Sequence, residues 1–186
     1  MNQEVEKAAE IIGKGGIILY PTETVWGLGC DPSNEEAVQR IVELKGKVSN
    51  KGLIVIVPDE RLLKRYVKEI PDVCYDLIDY ADRPITIIYP RGQYVAQNVL
   101  GPESSIAVRI TDNDFCCELM KRTKTGLVST SANVHGEPTA KKLQDISEVI
   151  RQGVDYIVDV PKYEGGDKAS QIIRIGMNNE VEIIRK

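Results

Sequence analysis

The sequence predicts an α/β domain in which helices flank an open sheet, and three observations carry that reading. Short apolar runs bounded by glycine or proline, at Ile17-Ile18-Leu19-Tyr20, Leu53-Ile54-Val55-Ile56-Val57 and Leu127-Val128, have the composition of buried strands. Segments with apolar residues at helical spacing lie between such runs. Hydroxyl-rich clusters, Thr22-Glu23-Thr24 and Ser129-Thr130-Ser131-Ala132-Asn133, begin where two of the runs end. In open α/β sheets ligands sit in the crevice outside the strand ends.

Each element follows from local chemistry. Residues 3–14 place Val5, Ala8, Ala9 and Ile12 on one helical face and stop at the glycines of 13–16. After the first strand, Gly27 and Gly29 permit a tight turn or a close approach to a ligand. Asp31-Pro32-Ser33-Asn34 offers N-cap residues to a helix carrying Ala37, Val38, Ile41, Val42 and Leu44, with Ser33 and Glu36 spaced as a capping box and Gly46 as its stop. Lys45, Lys47 and Lys51 crowd around that stop. A helix C-terminus accounts for Lys45 alone, so the three together make a candidate anion site.

Leu53 to Val57 is an unbroken apolar run, hence a central strand covered on both faces. Helices are expected at about 59–68 and 71–81, then a strand between Pro84 and Pro90. In Ser105-Ile106-Ala107-Val108-Arg109-Ile110 the isoleucines and valine share one face, while Ser105, Ala107 and Arg109 share the other. An arginine on that small-residue face is a clamp for a carboxylate or phosphate, or one half of an ion pair. Asp112 is expected to cap a helix through about 123, and a further helix is expected at about 140–151. A strand at Tyr156-Ile157-Val158, a glycine-rich loop at Gly165-Gly166 and a hairpin of 170–175 with 181–185 across Met177-Asn178-Asn179 complete the chain.

Composition narrows the function. The 186 residues suit one domain spanning 1–186, large enough to bury about 70% of the surface of the unfolded chain. With 42% hydrophobic and 28% charged residues the chain is globular in type. A net charge of -4 gives no bulk attraction to nucleic acid or anionic membrane, so any RNA contact needs a local basic patch. No apolar run approaches the ~18 residues of a membrane span. The acidic start Met1-Asn2-Gln3-Glu4-Val5-Glu6 is no signal peptide, and the expected location is cytoplasmic. Cys30, Cys74, Cys116 and Cys117 form no Cys-x-x-Cys pair and His135 is the sole histidine, which argues against a zinc site and against an activated nucleophile.

Neither Gly-x-Gly-x-x-Gly after the first strand nor a phosphate-binding Gly-x-x-x-x-Gly-Lys-Ser/Thr occurs. What remains is a cleft of hydroxyls, amides and cations without an evident general base. That set suits a reaction whose substrate is already the nucleophile, leaving the protein to position it and to stabilise phosphate charge.

Pro21-Thr22-Glu23-Thr24-Val25-Trp26-Gly27-Leu28-Gly29 resembles the Pro-Thr-Glu-Thr-Val-Tyr-Gly-Leu-Gly signature of the YrdC-like family, the L-threonylcarbamoyladenylate synthases. Lys45-Gly46-Lys47, Lys51-Gly52-Leu53, Ala107-Val108-Arg109 and Ser129-Thr130-Ser131-Ala132-Asn133 are similar, in order, to its later motifs. The resemblance covers nearly the whole chain and implies a twisted, mixed open sheet with a concave, positively lined ligand surface, the YrdC/RibB-like fold. It implies a nucleotidyltransferase joining L-threonine, bicarbonate and ATP into threonylcarbamoyl-AMP and pyrophosphate. The threonylcarbamoyl group then passes to tRNA adenosine 37 through a separate transferase complex, with tRNA contact among the expectations.

By position, Thr22, Arg109, Ser129 and Ser170 resemble the threonine-binding groups. Lys45, Lys47, Ser105, Ser131, Asn133, Thr139 and Arg185 resemble the ATP-binding groups, with Lys45 and Lys47 the catalytic cations. Mg²⁺ is expected to arrive with ATP, with no metal site of the protein's own. The chain departs from the family at Trp26, for tyrosine, and at Lys47, for arginine. It also differs at Asp82-Arg83-Pro84, for Pro-Gly-Pro, at Gln171, for threonine, and at His135, for serine. Arg83 is the candidate to return the missing guanidinium. These departures define the competing hypothesis, a non-catalytic RNA-binding paralogue of the same fold, against which the net acidity counts.

Overall fold

The computed structural model describes residues 1–46, 52–160, 169–176 and 178–186. Strands β1 (Ile18–Tyr20), β2 (Gly27–Gly29), β3 (Ile54–Val57), β4 (Ile85–Tyr89) and β5 (Ile106–Ile110) are followed by β6 (Leu127–Ser131), β7 (Tyr156–Ile157), β8 (Gln171–Ile175) and β9 (Val181–Arg185). They form one mixed sheet in the order β7-β1-β2-β6-β3-β5-β4-β8-β9. The β1·β7, β3·β5 and β4·β8 pairs are parallel and the others antiparallel. Helices α1 (Asn2–Gly13), α2 (Glu35–Leu44), α3 (Glu60–Tyr66), α4 (Val73–Asp79), α5 (Asp114–Thr123) and α6 (Glu148–Gly153) flank it.

The alternation in each strand assigns its two faces. Val55 and Val57 of β3, with Ile106 and Val108 of β5, pack against Ala37, Val38 and Ile41 of α2 and Leu63 and Tyr66 of α3. Ile54 and Ile56 point the other way, toward a second cluster built from Ile18, Tyr20 and Leu127 with Val5, Ala8 and Ile12 of α1 and Phe115, Leu119 and Met120 of α5. The unbroken apolar run of β3 is thus buried on both sides, as a central strand requires. Arg109 pairs with Ile56 across β3–β5, Ser129 with Ile54 across β3–β6, and Ser131 with Gly27 across β2–β6. Those registers put Arg109, Ser129 and Ser131 on the face of the second cluster.

Several local expectations shift. Gly27–Gly29 is a strand rather than a tight turn, and Gly27 lines a pocket, as a close approach to a ligand requires. A Cβ on Gly29 would stand 2.7 Å from the Tyr20 ring and 2.9 Å from the Val128 carbonyl, so glycine serves close strand packing there. The cap of α2 is Asn34, whose Oδ1 accepts from the Ala37 N–H at 3.0 Å, while Ser33 donates to Asp31. The cap of α5 is Asn113, accepting from the Cys116 N–H at 3.0 Å, not Asp112. The helix expected over 140–151 is a 3-10 turn, Leu143–Asp145, followed by α6, because the backbone is extended at Ile146 and adopts ψ 145° at Ser147. α3 and α4 are each shorter than their apolar spacing suggests, and Asp59 caps α3 through the Leu62 N–H at 2.8 Å. The 165–166 loop and Met177 lie outside the described residues.

Candidate active site

The loop after β1 is locked by one hydroxyl. Thr22 Oγ1 accepts from the N–H groups of Thr24 and Val25 at 3.0 and 3.1 Å, donates to the Val25 carbonyl at 2.7 Å, and lies 2.8 Å from Thr24 Oγ1. These contacts saturate it. The turn directs Thr24 and Glu23 onto Arg109, which reaches them from β5. Arg109 Nη1 donates to Thr24 Oγ1 at 3.3 Å, and Arg109 Nε stands 3.3 Å from Glu23 Oε1. The arginine is 4% exposed, and neither its Nε nor its Nη2 makes a hydrogen bond, so Nε has only the Glu23 charge beside it and Nη2 has nothing. A buried guanidinium with a vacant donor is poised to take an oxyanion.

Arg109 and Thr24 line a pocket of about 190 Å³ together with Val25, Gly27, Ile54, Ser129, Thr130, Ser131, Thr139, Ala169, Ser170 and Arg185. Strand β6 supplies the hydroxyls of Ser129 and Ser131, which share one face by alternation, next to β2 and β3. Ser170, just before β8, is fixed by Thr86 of β4 through a 2.8 Å hydroxyl contact. Arg185 of β9 then donates from Nε to the Ser170 carbonyl at 2.9 Å and from Nη2 to Ser170 Oγ at 3.4 Å. Burial lowers the Arg185 pKa, with repulsion from Arg109 adding to it. The two guanidiniums therefore share one field, and an anion between them relieves both.

Lys45, at the C-terminus of α2, donates from Nζ to the carbonyls of Ser131 and Asn133 at 2.6 and 3.0 Å and lies 3.5 Å from Ser131 Oγ. Among the described residues it makes no ion pair, and burial lowers its ammonium to about 8. Asn133 donates to the carbonyls of Val134 and Glu137, leaving its buried Oδ1 without a partner.

Of the residues singled out from sequence, Arg109, Ser129, Ser131, Thr139, Ser170 and Arg185 line one pocket, and Lys45 and Asn133 join it through Ser131. Thr22 is behind the wall. Ser105 lies elsewhere, in a hollow with Arg91 and Arg174. Lys47 and Lys51 lie outside the described residues. Trp26 is 6% exposed within the α2-side core, and His135 is exposed, holding the chain by its backbone N–H to the Lys45 carbonyl at 2.8 Å. Arg83 borders a neighbouring hollow of about 550 Å³, which is larger, mixes apolar residues such as Leu63 and Ile87 with the acidic Glu23, Asp82 and Asp112, and holds no buried cation. The smaller pocket is the one with buried Arg109 in its wall. Sequence reasoning named Thr24 and Glu23 only as loop residues, and Thr86 not at all as a site group. The signal for the first two was their place beside a strand tip.

All four cysteines are free. Burial pushes the Cys74 thiol up to about 11, away from nucleophilic character. Among the described residues no group of three or more His, Cys, Asp or Glu could hold a metal ion, and no helix is long and apolar enough to cross a membrane.

Comparison with known proteins gives a consistent picture. The Sua5/YciO/YrdC family model, described as telomere recombination, matches residues 10–186. The threonylcarbamoyl-AMP synthase of Pseudomonas aeruginosa is 40% identical over 152 residues, 81% of this chain and 82% of the relative. That of Idiomarina loihiensis is 36% identical over 178 residues, 94% and 95% respectively. The structure of P. abyssi Sua5 complexed with L-threonine superposes with a TM-score of 0.80 at 28% identity, over 91% of this chain. This chain spans half the length of that protein, 50%. E. coli YciO shares the fold, with a TM-score of 0.84 at 22% identity over 100% of this chain and 90% of its own.

Proposed function

This chain belongs to the Sua5/YciO/YrdC family, and from that premise we propose that it is a nucleotidyltransferase forming L-threonylcarbamoyl-AMP and pyrophosphate from L-threonine, bicarbonate and ATP. The family's curated relatives are named as threonylcarbamoyl-AMP synthases. The product serves threonylcarbamoyl modification of tRNA, with transfer to adenosine 37 by a separate complex in the cytoplasm.

The observation that carries the reading is a pair of cations at one hydroxyl-lined pocket: buried Arg109 with a vacant Nη2 in its wall, and part-buried Lys45, which among the described residues meets only carbonyl and hydroxyl oxygens and reaches the pocket through Ser131. Arg109 takes the threonine carboxylate, and Ser129 and Ser170 orient the amino acid beside it. Lys45, with Lys47, Ser131, Asn133, Thr139 and Arg185, receives the nucleotide. Ser105 stands apart from this pocket, so its contact with ATP would require the nucleotide to extend along β5. The threonine amine captures carbon dioxide derived from bicarbonate, giving a carbamate and releasing a proton. A carbamate oxygen then attacks the α-phosphorus in line, and the bond to the pyrophosphate oxygen breaks. Lys45 offsets the charge that develops on the phosphates. Mg²⁺ carried by ATP supplies further charge neutralisation. The protein's work is positioning and electrostatics, which is why no general base is required of it.

Incubation with the three substrates followed by mass spectrometry tests the reading directly. Threonylcarbamoyl-AMP is expected, and its absence under conditions where ATP and L-threonine bind rules the reaction out.

A further inference from the structure

Resting on that reading, we propose that Glu23 is a positioning residue, acting on substrate through Arg109: with Thr24 it aims the guanidinium so that Nη2 faces the carboxylate to be bound. Thr24 Oγ1 accepts a hydrogen bond from Nη1 at 3.3 Å, and Glu23 Oε1 pairs with Nε by charge at 3.3 Å without the alignment of a hydrogen bond. They are consecutive residues of one loop, and the loop is fixed by the saturated Thr22 hydroxyl. Hydrogen-bonded at Nη1 by Thr24 and drawn at Nε by the Glu23 charge, the planar fork keeps one orientation, which leaves Nη2 with neither a hydrogen bond nor an ion pair.

Glu23 does not line the pocket of Arg109; it borders the neighbouring hollow. Contact with a ligand seated among the β6 hydroxyls is therefore not its role. Stability does not explain it either. Its Oε2 is buried without a hydrogen-bond partner, and a largely buried carboxylate left half-satisfied costs the fold more than an apolar group would. The carboxylate also counters the repulsion that Arg109 and Arg185 exert across the pocket. Without it, the Arg109 fork loses both its orienting contact at Nε and its counter-charge.

Glu23→Gln keeps the size of the side chain and an acceptor oxygen but removes the charge. KM for L-threonine is expected to rise by about tenfold or more, the scale of a charge-assisted hydrogen bond, while kcat and KM for ATP stay within about twofold. In an Arg109→Lys background the same change is expected to add nothing, because the two residues act as one unit. An unchanged KM for threonine in Glu23→Gln overturns the proposal. So does full additivity with Arg109→Lys, which would mean that Glu23 touches substrate itself, and so does a parallel rise of both KM values with a fallen melting temperature, which would make it scaffold. A wild-type protein that forms no threonylcarbamoyl-AMP sinks the reaction, not this pairing. The Arg109 Nε–H resonance then reads the pairing: sharp and exchange-protected in wild type and lost in Glu23→Gln if Glu23 holds the guanidinium, unchanged if it does not.

Discussion

Lys45 is the residue at which folding and function oppose each other. An unfolded lysine titrates near ~10.4, whereas burial lowers Lys45 to about 8 in the folded protein. The charged form is therefore the penalised one. Its cost to stability is present in full below about pH 8 and fades as pH rises toward the unfolded value. Polyphosphate reverses the shift by offering a counter-charge. ATP binding should accordingly take up a proton above about pH 8 and weaken as pH rises through that value. Calorimetry in buffers of different ionisation enthalpy checks the uptake, and Lys45→Ala should abolish both the uptake and ATP–pyrophosphate exchange while leaving the circular dichroism spectrum unchanged.

Thr22 illustrates the opposite case, a hydroxyl used by its own loop. Thr22→Ser should retain activity, whereas Thr22→Val, which keeps the shape and removes four contacts, should raise KM for L-threonine through Arg109. Equal activity of the two variants would show that the turn stands without the hydroxyl. Arg109 was legible in the sequence because strand alternation fixes its face. Its partners were not, since Glu23 and Thr24 lie far from it along the chain, Thr24 at a separation of 85 positions.

Among the elements, helix α5 shows how local signals leave a choice open. Asp112 and Asn113 are both good N-cap residues, and the sequence favoured the first. In the fold Asn113 is 4% exposed and its Oδ1 reaches the Cys116 N–H. Asn113→Ala should cost about 1 kcal/mol of stability, while Asp112→Ala should cost much less, a contrast that urea denaturation midpoints resolve. Strand β2 shows a different gap. Gly27 and Gly29 read as turn residues because nothing in the local sequence reveals that the Tyr20 ring will lie against them. Gly29→Ala should destabilise more than the Asn113 change, since both the ring and the Val128 carbonyl of the neighbouring strand must move. The same denaturation midpoints check it.

At the scale of the molecule, the pocket draws on five strands and three loop segments, so ligand binding should stabilise the whole cooperative unit. ATP together with L-threonine is expected to raise the melting temperature in a concentration-dependent way, as linkage requires. A rise with RNA and none with ATP would instead favour the non-catalytic binding module. The order β2-β6-β3-β5 assembles the site, because it sets Ser129 and Ser131 of β6 in the same sheet face as Arg109 of β5, onto which the loop after β1 folds.

The sequence by itself determined the α/β class, the family, the two-faced strands and most of the groups that line the pocket. These depend on periodicity, turn chemistry and motifs that read along the chain. Only the tertiary structure decided that Glu23 and Thr24 grip Arg109, that Thr86 fixes Ser170, that Arg185 shares a field with Arg109, and that Thr22 and Ser105 stand outside the pocket. Those facts depend on which strands lie side by side, and strand order is set by burying two apolar faces at once, a property of the whole sheet that no stretch of chain encodes alone.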